Sequence, residues 1–222
     1  MCGGCEVRLR VATIFALAAG ALAQSPPNTP GVSQPRRIRK QEPQDSDEAR
    51  KARLEGRVGL SVIVSAEGAV QDVQVTKPAG LGLDENAMDA VRTWVFQPGM
   101  KDGQPVRVTT KVEVNFRHMV GPTEWRLERA LFDTPAGASR PKVIDVDFPV
   151  QESRAVNASV GVSFDVDERG EPANFHVENS SDSQWESGVI AAAKQWRFKP
   201  GMKDGAPIPV RATFNFVHRG GS

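Results

Sequence analysis

The sequence is poor in the residues that build metal centres and catalytic sites. It has three histidines, two cysteines and no tyrosine among 222 residues. Cys2 and Cys5 both lie in the first five residues, and no second pair of ligands follows to complete a metal site. His118, His176 and His218 are far apart and show no patterned spacing. We therefore predict no metal, no cofactor and no catalytic residues, and hence a protein that is not an enzyme.

A strong net charge and a long apolar run are also missing. The formal charge is +1, which argues against nucleic acid and against an anionic membrane surface as bulk electrostatic partners. The apolar segment at 11–23 is shorter than the roughly 20 residues that span a bilayer. Arg8 and Arg10 precede it, and Ala21-Leu22-Ala23 resembles a cleavage site. Residues 1–23 are thus predicted to be a signal peptide, with a retained membrane anchor as the alternative.

The segment 24–43 is rich in proline and in basic residues. It contains five prolines, with Arg36, Arg37, Arg39 and Lys40 clustered among them. Prolines at this density prevent a helix and leave little apolar surface for a core. We predict an extended linker.

One ten-residue pattern occurs twice in the chain. Residues 94–103 read W-V-F-Q-P-G-M-K-D-G, and residues 196–205, which begin 102 positions later, read W-R-F-K-P-G-M-K-D-G. Solenoid units recur at shorter periods than this. The repeat therefore predicts two copies of one small domain.

The first copy has the pattern of a hairpin, a helix and a final strand. Alternating apolar residues predict a β-hairpin over 57–76. A helix is expected from Leu83, capped by Asp84, with Trp94 and Val95 on its apolar face and Pro98 ending it. A short helix is also expected within 45–54. The first module is therefore predicted to be β-β-α-β over residues 44–118.

The second copy repeats this order with different side chains. Strands are predicted around the turn at 167–170, and Ser183 to Glu186 form a capping box before the next helix. Alternation of apolar residues from Ile208 to Phe216 predicts the last strand. The second module is placed at residues 146–219. The predicted fold class is α+β, with two tandem modules, each a three-stranded antiparallel sheet packed by one helix.

The connector at residues 119–145 allows two interpretations. Trp125, Leu127, Ala130, Leu131 and Phe132 fit either a short helix or an extended segment, and periodicity does not decide between them. The aromatic residues predict that the connector packs on a module.

These motifs together resemble a known family, the C-terminal domain of TonB. The resemblance rests on the segment 48–56 before the first strand, on Leu83 to Ala87, and on the repeated W-x-F-x-P and K-D-G motifs. It implies a periplasmic β-β-α-β domain that binds a short extended peptide of an outer-membrane transporter by adding it to a sheet edge. Members that couple to the inner-membrane motor retain a transmembrane helix bearing a histidine, and segment 11–23 contains none.

The resemblance implies that the final strand of each module is the binding edge. The expected partner-binding residues are Val108, Thr109, Thr110, Lys111, Val112, Glu113 and Val114 in the first module, and Val210, Arg211, Ala212, Thr213, Phe214, Asn215 and Phe216 in the second. Open edges also pair with a second copy, so a homodimer is a further expectation. The leading hypothesis is a periplasmic protein that binds extended peptides or transporter partners. An inner-membrane-anchored energy transducer for TonB-dependent transport is the alternative.

Overall fold

The computed structural model describes residues 31–117, 124–149 and 157–219. The predicted signal peptide, the first part of the predicted linker and His118 lie outside these ranges.

The elements of the first half begin before the predicted module. Their order is β1 (Arg36–Arg39), α1 (Asp47–Lys51), β2 (Arg57–Val64), β3 (Val70–Lys77), α2 (Leu83–Arg92), β4 (Val95–Gln97), β5 (Gly99–Lys101), β6 (Gln104–Val106) and β7 (Val108–Asn115). The predicted hairpin is confirmed as β2 and β3, which pair antiparallel. Every second residue of β2 from Val58 to Val64 is fully buried.

The second half repeats much of this order. It contains β8 (Trp125–Asp133), β9 (Lys142–Asp145), β10 (Ala158–Val166), β11 (Pro172–Ser180), a 3-10 turn (Ser183–Trp185), α3 (Glu186–Ala193), β12 (Arg197–Lys199), β13 (Gly201–Lys203), β14 (Ala206–Ile208) and β15 (Val210–His218). Asp182, and not Ser183, caps the 3-10 turn, since its carboxylate accepts the Gln184 N–H at 3.1 Å.

The two main sheets differ in strand number. The first has the order β3-β2-β7, and the second has the order β11-β10-β15-β8. The α+β class is confirmed, but the prediction of two three-stranded sheets is wrong for the second module. The fourth strand, β8, comes from the connector, which adopts the extended one of its two predicted conformations.

Part of the predicted linker forms a β-strand that pairs with the first module. β1 pairs antiparallel with β4, and β9 makes the corresponding pair with β12 in the second half. The Trp94 indole N–H donates to the Gln41 carbonyl at 2.9 Å, and the Trp196 indole N–H donates to the Asp147 carbonyl at 2.6 Å. Each tryptophan of the repeat thus forms a hydrogen bond with the segment that precedes the hairpin of its own half.

The helix α2 is shorter than predicted at its end. It stops at Arg92, where the Thr93 and Trp94 N–H groups donate to the Ala90 and Val91 carbonyls. Trp94 and Val95 are therefore not helical, and Val95 begins β4. The chain is extended here because Phe96 donates its N–H to Gly68 at 2.9 Å, in the turn of the hairpin.

The start of α2 also differs from the prediction. Gly82, with φ of 83°, is the N-cap residue, and Asp84 lies inside the helix. The Asp84 carboxylate instead accepts the Ala79 and Gly80 N–H groups at 2.8 and 3.0 Å. Burial raises the pKa of Asp84, and these two hydrogen bonds oppose that rise. Asp84 thus fixes the loop that precedes the helix.

Both halves contribute to one continuous apolar core. In the second module this core is a cluster of aromatic rings around Phe214, whose centroid lies 5.1 Å from Phe164, 5.4 Å from Trp196 and 5.6 Å from Phe132. Phe132 belongs to β8, so the connector strand supplies part of the core of the second sheet.

Candidate binding edge

The final strand of the first module is an edge strand. β7 pairs with β2 over eight residues without a register shift, and no other strand pairs with β7 among the residues that the structure describes. All seven residues predicted there, 108–114, lie on this edge.

The register identifies which backbone groups are unpaired at this edge. The Phe116 N–H donates to the Gly56 carbonyl at 2.9 Å. These two residues are the next opposite pair when the register of β2 and β7 is extended by one position beyond Arg57 and Asn115. Because bonding alternates along an antiparallel pair, even-numbered residues of β7 bond to β2 and odd-numbered ones point their N–H and C=O groups outward. The outward set is Thr109, Lys111, Glu113 and Asn115.

Two further outer strands, β3 and β11, are less regular. β3 pairs with β2 through two register shifts, and β11 pairs with β10 through two as well. Bulges of this kind bend a strand and hinder the addition of another one. Of β3, β7 and β11, β7 is therefore the strand best suited to receive a partner.

The prediction that residues 210–216 form an open edge is wrong. β15 pairs with β10 on one side and with β8 on the other, in a register that runs from Arg211 opposite Asp133 to His218 opposite Trp125. The backbone N–H and C=O groups of β15 therefore form hydrogen bonds with a neighbouring strand on both sides. A strand can add there only if it displaces β8.

β8 also bonds to the first module. The Glu55 N–H donates to the Leu127 carbonyl at 2.9 Å, and the Ala130 N–H donates to the Ala79 carbonyl at 2.9 Å. Gly80 has φ of +96°, and a Cβ at this position would lie 1.7 Å from the Ala130 oxygen. Only glycine permits this approach. The strand is therefore held between the second sheet and two loops of the first module.

Ion pairs also join the connector to the first module. Arg126 of β8 donates to Glu55 at 2.9 Å, and both side chains are largely buried. Arg140 donates to both carboxylate oxygens of Glu48 at 2.8 and 3.1 Å. The Val143 N–H donates to the same carboxylate at 3.1 Å. Sequence reasoning missed these pairs, because each one joins residues 71 or 92 positions apart.

The described residues were compared with the features of a metal site and of a membrane-spanning helix. In 31–117, 124–149 and 157–219, no three His, Cys, Asp or Glu residues are grouped so that they could hold a metal ion. In the same ranges no helix has the length and the apolar character needed to traverse a bilayer. His218 is buried at the end of β15, with its ring 5.4 Å from that of Trp125, and His176 is exposed on β11.

Comparison with known proteins identifies the family. The profile of the Gram-negative bacterial TonB protein C-terminal family matches residues 41–118 and 148–218. The chain belongs to the TonB C-terminal family. The first matched segment begins at Gln41, whose carbonyl holds the Trp94 indole. The segment between the two TonB C-terminal matches contains β8, so this strand is not part of either matched segment.

Individual TonB relatives match part of the chain. Protein TonB of Escherichia coli (strain K12) is 33% identical over 91 residues, which are 40% of this chain and 37% of that protein. The chain thus spans little more than a third of the length of this curated relative. The solution NMR structure of the Pseudomonas aeruginosa TonB CTD is 27% identical and covers 36% of this chain and 87% of its own, with a TM-score of 0.33.

Proposed function

We propose that this protein is a periplasmic, non-enzymatic binding protein that adds an extended peptide of a protein partner to the outer edge of β7. The observation that carries the proposal is the asymmetry between the modules. β15 already has a strand on its outer side, whereas β7, its equivalent, has none among the described residues. Unpaired backbone groups on a regular edge provide the hydrogen bonds for strand addition.

β8 supplies an internal example of how such a strand would lie. It runs antiparallel to β15, with Leu127 opposite Phe216 and Ala130 opposite Phe214 on the core side. The equivalent positions of β7, 102 residues earlier, are Val114 and Val112. A partner strand is therefore expected to run antiparallel to β7 and to place apolar side chains against these two valines.

Membership of the TonB C-terminal family supports the choice of partner and compartment. One relative is Protein TonB itself, and the resemblance implies a periplasmic domain that grips a segment of an outer-membrane transporter. We therefore propose such a transporter segment as the partner, with a second copy of this chain as the competing occupant of the same edge.

Substitution of Lys111 by proline tests the proposal. The Lys111 N–H points outward, so proline removes a donor that strand addition needs and leaves the bonds to β2 in place. We expect the affinity for peptides from the periplasm-facing segments of the host's transporters to fall about tenfold or more. Lys111→Ala keeps the N–H and should bind within about twofold of the wild type. Fluorescence polarisation measures both.

Hydrogen exchange provides an independent measurement on the unmodified protein. The outward amides of Thr109, Lys111, Glu113 and Asn115 should exchange rapidly in the free protein and become protected when peptide binds. Binding without protection of these amides would contradict the proposal. Protection that grows with protein concentration alone would assign the edge to a second copy.

The similarity to Protein TonB favours one alternative, an energy transducer anchored in the inner membrane through residues 11–23. The two functions differ at the N-terminus. We expect the mature protein to begin at Gln24 and to be released with the soluble periplasmic fraction, because Ala21-Leu22-Ala23 matches the A-x-A pattern of a cleavage site. N-terminal sequencing decides this. An intact Met1 in an inner-membrane fraction would favour the transducer.

A further inference from the structure

A cleft with an excess of positive charge lies where the first module meets β8. Its volume is about 660 Å³, and it is lined by residues from the ends of the first sheet, from β8 and from the end of β15. Five of the lining residues are exposed cations: Arg57, Lys77, Arg117, Arg129 and Arg219.

The two carboxylates in the lining offset this charge only in part. Glu55 is paired with Arg126 at 2.9 Å, and Arg126 is itself buried outside the lining. Glu128 accepts a hydrogen bond from the Asn215 amide at 3.0 Å. In the described part of the chain, none of the five cations has a carboxylate within the 4.0 Å of an ion pair. Of the two lining carboxylates, only Glu128 thus offsets the five cations, and the positive charge that remains favours an anionic ligand.

The cleft continues the open edge of β7. Asn115 is the last residue of β7, and it lines the cleft together with Phe116 and Arg117. A strand that runs antiparallel to β7 begins beside the end of β7, so its N-terminal residues would lie next to the cleft. Residues on the C-terminal side of the same strand would lie at the far end of β7, beside Val108.

We propose that this cleft binds acidic side chains on the N-terminal side of the peptide that pairs with β7. The inference rests on the proposed strand addition and adds a sequence preference and a direction to it. Carboxylates fit the site because arginine binds them with two parallel hydrogen bonds, and four of the five cations are arginines.

Three synthetic peptides test the preference. All contain alternating threonine and valine; one starts with two glutamates, one ends with two glutamates, and one starts with two glutamines. We expect the first to bind the wild type about tenfold more tightly than the others. This advantage should shrink as NaCl rises from about 50 to about 500 mM, because salt screens exposed charges. Equal affinity for the two glutamate peptides would overturn the antiparallel direction.

Charge reversal at the cleft provides the matched comparison. The double variant Arg57→Glu, Arg117→Glu should lose the preference for the leading glutamates and bind the glutamine peptide within about twofold of the wild type. Arg169→Glu makes the same kind of change in the exposed turn of the second module, away from the cleft lining, and should bind all three peptides like the wild type.

The outcomes separate this inference from the function on which it rests. If peptides protect the Lys111 amide but the glutamates give no advantage, the cleft inference fails and strand addition stands. If none of the three peptides binds, both fail. Capture of phosphatidylglycerol vesicles that is lost in the double variant, without any peptide preference, would overturn the inference in favour of an anionic lipid surface.

Discussion

Replacing Phe214 with alanine is expected to lower the free energy of unfolding by about 3–5 kcal/mol. Phe214 is fully buried, and it contacts the rings of Phe132, Phe164, Trp196 and Phe198 with centroids 5.1 to 6.2 Å away. Alanine would leave a cavity in the middle of this cluster. It would also remove an aromatic contact that holds β8 on the second sheet. Urea denaturation followed by tryptophan fluorescence measures the loss.

The repeat provides a matched control for this prediction. Val112 occupies the position equivalent to Phe214 on β7, but it is only partly buried and has no strand on its outer side in the described structure. Val112→Ala is therefore expected to cost about 1 kcal/mol. Similar losses for the two variants would contradict the assignment of the aromatic cluster as the main core of the second module.

The second large effect is expected at Gly80, where alanine should lower the free energy of unfolding by about 3–4 kcal/mol. The added methyl group would lie 1.7 Å from the Ala130 carbonyl oxygen, and φ of +96° is unfavourable for any residue with a Cβ. The backbone of β8 must then move away from the first module. Hydrogen exchange should show reduced protection at the Ala130 amide, which donates to Ala79.

Gly103 separates the steric effect from the backbone strain. It has φ of +78°, but no atom lies within 4 Å of the position of its Cβ. Gly103→Ala should therefore cost only about 1 kcal/mol, from the strain at positive φ. A loss at Gly80 no larger than the loss at Gly103 would show that the contact between β8 and the first module contributes little.

Local pattern was sufficient to predict much of each module. The alternation of apolar residues in β2 and in β7 correctly predicted strands, because one face of each strand carries the apolar side chains that pack in the core. In β2, the central strand, residues of the other face such as Ile63 are buried as well. Gly103 and Gly205, the glycines of the two K-D-G motifs, both have positive φ, which glycine adopts without the steric cost of a Cβ. These features depend on neighbouring residues alone.

The connector could not be predicted because its apolar period changes within the strand. Leu127 lies opposite Phe216 and Arg129 lies opposite Asn215, so Glu128 is an extra residue at a bulge. The buried apolar positions are thus Trp125 and Leu127 before the bulge and Ala130 after it. Neither a period of two nor a helical period fits all of them, which explains why the sequence left both conformations open.

The binding site was only half predictable for a related reason. Residues 108–114 and 210–216 have the same local pattern, and nothing within either strand indicates whether its outer side is covered. Pairing between β8 and β15 depends on residues 78 to 93 positions apart in the sequence. The cleft likewise brings together Arg57, Lys77, Arg117, Arg129 and Arg219, which are spread over most of the chain.

The occupied edge of β15 has a consequence for the number of peptides that the proposed function allows per chain. Two tethered sites can raise apparent affinity, because the second contact forms at a high effective concentration. In the described part of the chain, β8 occupies the outer side of β15 and leaves β7 as the regular open edge, so on the proposed function this gain is not available. On the proposed function, one chain would take up one peptide segment, and the second module would serve as the support that β8 joins to the first.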